Sequence, residues 1–175
     1  MRIIPTKLSG VFLIEPDIHE DLRGKNFMTW HSEKYSWLET NFVEHNIFTA
    51  KKNVLSGIHY SPLCTKLYQC LYGIAHYILV NCDNNDKEFG KWGSFILSDE
   101  NRFQLFKPPK YGTGFVAISN YVIIYVMQSE YYNPGNPNQV TFRYDDPRFN
   151  IRWPIENPIL SERDEMGNYE SRACK

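Results

Sequence analysis

AHYILVN (75–81) and YVIIYVMQ (121–128) decide the fold. Both are short runs rich in β-branched and aromatic residues, and in both the apolar side chains fall on the two faces of a period-two repeat. A strand apolar on both sides belongs in the middle of a sandwich, away from an edge that water reaches. Around these two runs, Gly, Pro and Asn punctuate the chain, and the same kind of segment recurs at 11–14, 26–31, 42–48, 53–60, 66–73, 94–98, 103–108, 114–119 and 139–144. Such a series predicts an all-β sandwich or barrel. One amphipathic helix fits over 32–41, with Tyr35 and Leu38 on one face and Glu33, Lys34 and Glu39 on the other. From about residue 145, Pro147, Pro154 and Pro158 forbid regular ladders, which predicts an ordered tail lying across the barrel. The last residues, Gly167 to Lys175, carry little apolar content and are expected to fray. No repeat, charge block or linker divides residues 1–175, so a single domain is expected.

Composition narrows the classes of function. The net charge of −1 gives no electrostatic funnel for nucleic acid or an acidic membrane. With 12 Tyr, 11 Phe and 4 Trp, the interior or a ligand cleft must accommodate many rings. Cys64, Cys70, Cys82 and Cys174 form no C-x-x-C pair and read as reduced thiols of a cytoplasmic protein. The N-terminal apolar run is broken by Pro5, Ser9, Gly10 and Pro16, unlike a signal peptide, and no stretch approaches the roughly twenty apolar residues of a membrane helix.

Four residues are candidates for chemistry. His59 sits at the end of a mostly apolar strand just after Gly57, a place that suits a general base, although a core or rim histidine with one hydrogen bond is the commoner role. Lys66 opens KLYQCLYG, and alternation puts it on one face with Tyr68, Cys70 and Tyr72, where it either snorkels or serves a site. Tyr125 lies inside the second deciding strand beside Ile123 and Met127, with Ile124 and Val126 opposite, so its hydroxyl needs a partner or a ligand. Asp164 ends an apolar segment and can either orient a histidine or remain a solvated surface acid. No catalytic metal is expected: metal-binding cupins generally place two histidines one residue apart after a Gly, and Ser61 stands two beyond His59. G-x-G-x-x-G and P-loop patterns are also absent, so no cofactor is expected.

Taken in order, D-L-R-G (21–24), N-V-L-S-G-I-H-Y (53–60), the strand start at Lys66, F-G-K-W (89–92), L-S-D-E-N (97–101), the Tyr125 strand and I-R-W-P…L-S-E-R-D (151–164) resemble the dTDP-4-dehydrorhamnose 3,5-epimerase family from about Val11 to Asp164. The resemblance implies a homodimeric cupin or jelly-roll barrel with a few short helices, whose cavity binds a nucleoside-diphospho-4-keto-6-deoxy sugar. It implies that His59 is the base, Asp164 its paired carboxylate, Lys66 the cation beside an enolate and Tyr125 the acid on the opposite face. Arg23 matches a diphosphate-binding arginine, and further substrate contacts are implied at Phe27, Asn46, Ser56, Tyr131 and Arg163.

The hydrogens on C3 and C5 flank a C4 carbonyl, so a positioned base, acid and cation suffice for inversion without redox change. The family usually has an arginine where Ser56 stands, a glutamate at Met28, a histidine at Thr113 and an aspartate at Asn81; these changes alter sugar and nucleotide contacts and leave the acid–base set intact. D-L-R-G, V-L-S-G-I-H and Q-V-T-F (139–142) also resemble a divergent branch that serves capsular polysaccharide assembly on GDP-linked 4-keto heptoses. A catalytically silent sugar-nucleotide-binding cupin and a 3,4-keto-isomerase are the competing readings.

Overall fold

The structure, a computed structural model, describes residues 1–133 and 135–167. Its strands are β1 (Arg2–Pro5), β2 (Phe12–Glu15), β3 (Ile18–Asp21), β4 (Gly24–Phe27), β5 (Glu44–Lys51), β6 (Leu55–Tyr60), β7 (Lys66–Tyr72), β8 (Ile74–Asn81), β9 (Trp92–Ser98), β10 (Gln104–Lys107), β11 (Tyr111–Ala117), β12 (Tyr121–Gln128) and β13 (Val140–Thr141), followed by helix α1 (Glu162–Met166). They form a six-stranded sheet in the order β1-β2-β10-β7-β12-β5 and a five-stranded sheet in the order β13-β6-β11-β8-β9, with β3 and β4 as a separate hairpin. Every pairing between these strands is antiparallel. The result is the all-β, jelly-roll sandwich expected.

The two strands that decide the fold are central, and three apolar layers explain their composition. Between the sheets lie Ala75, Tyr77 and Leu79 of β8, facing Tyr68 and Cys70 of β7 and Val122, Ile124 and Val126 of β12. Outside the six-stranded sheet, Leu67, Phe106 and Met127 are covered by Trp30, Tyr35, Trp37, Leu38 and Phe42. Outside the five-stranded sheet, Ile58, Ile78 and Val80 are covered by Phe142, Phe149 and Trp153. Each sheet is therefore dry on both faces in its middle. The tail crosses the barrel as expected: Trp153 Nε1 donates to the Tyr144 carbonyl at 2.8 Å, and Ile159 bridges to Val54 beside β6.

Several boundaries differ from expectation. The helix expected over 32–41 is a 3-10 turn at Ser36–Leu38, because no side chain caps it and Glu39 turns left-handed at φ 48°. Tyr35 and Leu38 are nonetheless buried, so the covering role holds. The 26–31 segment splits: its first residues close the β3–β4 hairpin, and the chain then leaves to lay Trp30 on the sheet. The 139–144 strand shrinks to two residues, since Arg143 and Asp145 pair across a turn. β1 lies outside every segment that the sequence reads as a strand; it sits at a sheet edge, where Pro5 is tolerated. Fraying beyond Gly167 and the state of Cys174 lie outside the described residues. Among the described residues, no helix is long and apolar enough to cross a membrane.

Candidate active site

β6 carries the site's first residue because it bulges. On β11, one residue separates Thr113 from Phe115, but on β6 two residues separate their partners His59 and Ser56. The extra residue turns Ser56 and His59, three apart, toward the same interior face. Gly57 makes this possible: at φ +117° a Cβ would sit inside contact distance of the Thr113 carbonyl oxygen and the Gly114 Cα.

Asp164 meets His59 from the far end of the chain. The tail docks along β6 through Leu55 N–H to the Ile159 carbonyl (3.0 Å) and Ile159 N–H to the Asn53 carbonyl (2.8 Å), which sets α1 over the cleft. Ser161 caps that helix by accepting from Asp164 N–H at 3.2 Å. The Asp164 carboxylate, 4% exposed, accepts from His59 Nε2 at 2.6 Å, from Gly57 N–H at 3.2 Å and from Ser161 Oγ at 2.8 Å. Burial alone raises this carboxyl, but the His59 hydrogen bond and charge, with Ser161 and Gly57, outweigh it and hold it below the ordinary value. An ionised Asp164 accepts only, so His59 Nε2 carries the hydrogen and Nδ1 keeps its lone pair for other work.

Lys66 and Lys107 face each other across β7 and β10 on the interior side. Lys107 is buried and donates to the Cys64 carbonyl at 3.0 Å and the Tyr111 carbonyl at 2.8 Å. Burial, reinforced by the charge of Lys66, brings Lys107 down to about 7. Burial also lowers Lys66, with Cys64 and Glu44 pulling the other way. The Glu44 carboxylate is itself engaged, accepting from Asn46 at 2.6 Å, from Gln128 at 3.0 Å and from the Tyr132 N–H at 2.8 Å.

His59 and Lys66 wall two spaces. Inward is a cavity of about 200 Å³ lined with Phe48, Ser56, Tyr68, Tyr77, Thr113, Phe115 and Val126. Outward is a mouth shared with Ser61, Lys107, Gln128, Tyr132, Gln139 and Arg163. Arg163 donates to Thr141 Oγ1 at 2.7 Å and to the Tyr132 hydroxyl oxygen at 3.3 Å, so the phenol keeps its own O–H free to donate. Among the described residues, no three His, Cys, Asp or Glu side chains cluster as a metal-binding group.

Of the ten candidate residues, the structure brings His59, Asp164, Lys66, Ser56 and Arg163 to one cleft. Asn46 lines neither space and is tied to Glu44. Tyr125 is placed elsewhere. It faces the outer side of the six-stranded sheet with Met127, and its hydroxyl bonds His45 Nδ1 at 2.8 Å. Arg23 pairs with Asp21 on the β3–β4 hairpin, Arg102 stacks over Phe27 at 4.7 Å, and Tyr131 is 71% exposed; none of the three lines this cleft. The phenol in the cleft is Tyr132, the neighbour of Tyr131 in E-Y-Y-N-P, and no pattern in the sequence distinguishes the two. Lys107 is legible as a lysine inside the apolar run FQLFKP.

Comparisons with known proteins point to one family. The family model for dTDP-4-dehydrorhamnose 3,5-epimerase matches residues 5–169. The protein of that name from Methanothermobacter thermautotrophicus is 32% identical over 170 residues, covering 93% of this chain and 91% of the relative. A dTDP-6-deoxy-D-glucose-3,5-epimerase from Legionella pneumophila, solved in complex with dTDP-4-keto-L-rhamnose, is 30% identical with a TM-score of 0.87, over 93% of this chain and 89% of the other. A 4-keto-6-deoxy sugar epimerase from the novobiocin gene cluster of Streptomyces spheroides reaches a TM-score of 0.90 at 26% identity, over 99% of this chain and 90% of the other. With a family model spanning residues 5–169 and relatives matched over about nine-tenths of both chains, the chain belongs to the dTDP-4-dehydrorhamnose 3,5-epimerase family.

Proposed function

We propose that this isomerase inverts C3, C5 or both of a nucleoside-diphospho-4-keto-6-deoxy sugar destined for surface polysaccharide, using His59 as base. The observation that carries the reading is the buried Asp164 carboxylate bonded to His59 Nε2 at 2.6 Å beside Lys66 in a single cleft. The sugar occupies the inner cavity, and the diphosphate lies toward the mouth near Gln139 and Arg163. An empty space of about 150 Å³ takes a benzene ring, so about 200 Å³ has room for a six-membered sugar ring.

His59 Nδ1 takes the proton from the carbon beside the carbonyl, and the C–H electron pair becomes the enolate π bond. Negative charge then gathers on the C4 oxygen, where the Lys66 ammonium stabilises it. Water returns a proton to the opposite face, and the resulting hydroxide and the imidazolium neutralise each other through solvent. Oxidation state does not change at any step. A silent binding module would share the cavity but has no use for a carboxylate that orients the imidazole.

The relatives named above support dTDP as the nucleotide, and GDP-linked 4-keto heptose is the second substrate tested. We further propose a cytoplasmic homodimer. The family resemblance supports it, as does the β3–β4 hairpin, whose Arg23 lies outside its own chain's cleft. The test is incubation with dTDP- and GDP-linked 4-keto sugars in deuterated water, followed by NMR at C3 and C5. Deuterium at both carbons with inversion marks a 3,5-epimerase, and at one carbon a mono-epimerase. A displaced carbonyl marks a keto-isomerase, and binding without exchange a silent module; either would overturn the proposal.

A further inference from the structure

The inner cavity has two kinds of wall. Phe48, Phe115 and Val126 are apolar, while Ser56, Tyr68, Thr113 and Tyr77 bring hydroxyls. Tyr68 donates to Thr113 Oγ1 at 3.2 Å. Tyr77 differs from it. Its side chain is fully buried, its ring sits 5.1 Å from that of Tyr68 and 5.6 Å from that of Phe115, and its hydroxyl has no hydrogen-bond partner among the described residues.

Register places Tyr77 deep. His59 pairs with Thr113, and Thr113 with Leu79, whereas Phe115 and Tyr77 pair two residues further in. A buried donor without a partner costs stability, and a phenylalanine would fill the same space without that cost. The neighbouring ring of Phe115 shows that an unsubstituted aromatic is tolerated in this wall. Burial also pushes the phenol well above its ordinary value, so it stays a neutral O–H donor at all working pH values.

In a pyranose, C4 lies across the ring from the nucleotide-bearing C1. With the nucleotide at the mouth, the groups that reach the closed end are therefore those on C3, C4 and C5. We infer that Tyr77 is a specificity-determining residue whose O–H, together with that of Ser56, binds a neutral oxygen of the sugar at the closed end of this cavity. The site thereby takes 4-keto sugars that present a hydroxyl on the ring edge remote from the nucleotide. The inference rests on the epimerase reading above.

The test is Tyr77→Phe, compared with wild type in three measurements: deuterium exchange into dTDP-4-keto-6-deoxyglucose, whose C3 bears a hydroxyl; affinity for TDP, which lacks the sugar; and the melting temperature without ligand. The expected result is a KM raised about three- to tenfold, the loss of one neutral hydrogen bond. kcat should stay within about twofold. TDP affinity should not change, and the melting temperature should be equal or higher, because the hydroxyl has nothing to lose in the free protein. An unchanged KM overturns the inference, as does equal weakening of TDP and sugar nucleotide. A lowered melting temperature with unchanged KM assigns the hydroxyl a purely structural role and also overturns it. Absence of exchange by the wild-type protein sinks the epimerase reading, whereas wild-type exchange with an indifferent Tyr77→Phe sinks this inference alone.

Discussion

Replacing Asp164 with Asn removes one charge and almost nothing else. The carboxylate accepts three hydrogen bonds, from His59 Nε2 and Gly57 N–H on one oxygen and from Ser161 Oγ on the other. An amide oxygen left facing His59 and Gly57 keeps the first two, and its NH2 donates to Ser161 Oγ in place of the third. The fold and the imidazole's position should therefore survive, with a melting temperature within a few degrees of wild type. What is lost is the charge that favours the imidazolium formed when His59 takes the substrate's proton.

A hydrogen bond to an ion contributes about 1.5–3 kcal/mol against about 0.5–1.5 for a neutral one, a difference on the order of 1–2 kcal/mol. By the factor of ten per 1.4 kcal/mol, kcat for deuterium exchange should fall roughly five- to thirtyfold, with KM within about twofold. Asp164→Ala is the contrasting variant, because it leaves the Gly57 N–H and the Ser161 hydroxyl unpaired as well and should lower stability by about 1–3 kcal/mol for each. The assay is the initial rate of solvent deuterium incorporation followed by NMR, alongside thermal melting. Wild-type exchange by a folded Asp164→Asn protein would refute the role given to the dyad.

Tyr125→Phe, which loses only its bond to His45, should leave the rates of proton loss and of inversion near wild type. Lys66→Met should lower kcat about a hundred- to a thousandfold, the usual loss when one preorganised partner of a developing oxyanion is removed, as single-turnover exchange would show. Lys107 gives a pH signature. It is held at about 7 in the folded protein against an ordinary 10.5, so across that window the unfolded chain binds one more proton and stability rises with pH. Denaturant melts should show a slope on the order of 1 kcal/mol per pH unit above pH 7 in wild type that is missing from Lys107→Met; identical slopes would contradict the assignment.

Much of the fold was readable because alternation is a direct record of a strand's two environments. Both central strands and the shared face of Lys66, Tyr68 and Cys70 follow from it, while the tail across the barrel follows from its prolines. Tyr125 shows where that record ends. Alternation grouped it correctly with Ile123 and Met127, but it does not tell the inside of a sandwich from an outside covered by Trp30, Tyr35 and Phe42 when both are apolar. The convergence of His59 and Asp164 was implied by resemblance and not by spacing. Bringing Ser56 and His59 to one face takes a bulge, which changes the period that sequence reading relies on. The short cap at Ser161 carries Asp164 on a single turn of helix, too brief for any periodic signal. Tyr131 and Tyr132 are adjacent and both exposed, and only the path of the chain after β12 brings the second to the mouth.

The central claim is that one imidazole, held by a buried carboxylate, removes the proton beside the sugar's carbonyl. Solvent deuterium incorporation into a nucleotide-linked 4-keto sugar, measured for wild type and for His59→Asn at matched TDP affinity, tests it most directly. Wild type should label C3, C5 or both, and the variant should label neither while still binding nucleotide. Labelling by His59→Asn at the wild-type rate would contradict the account.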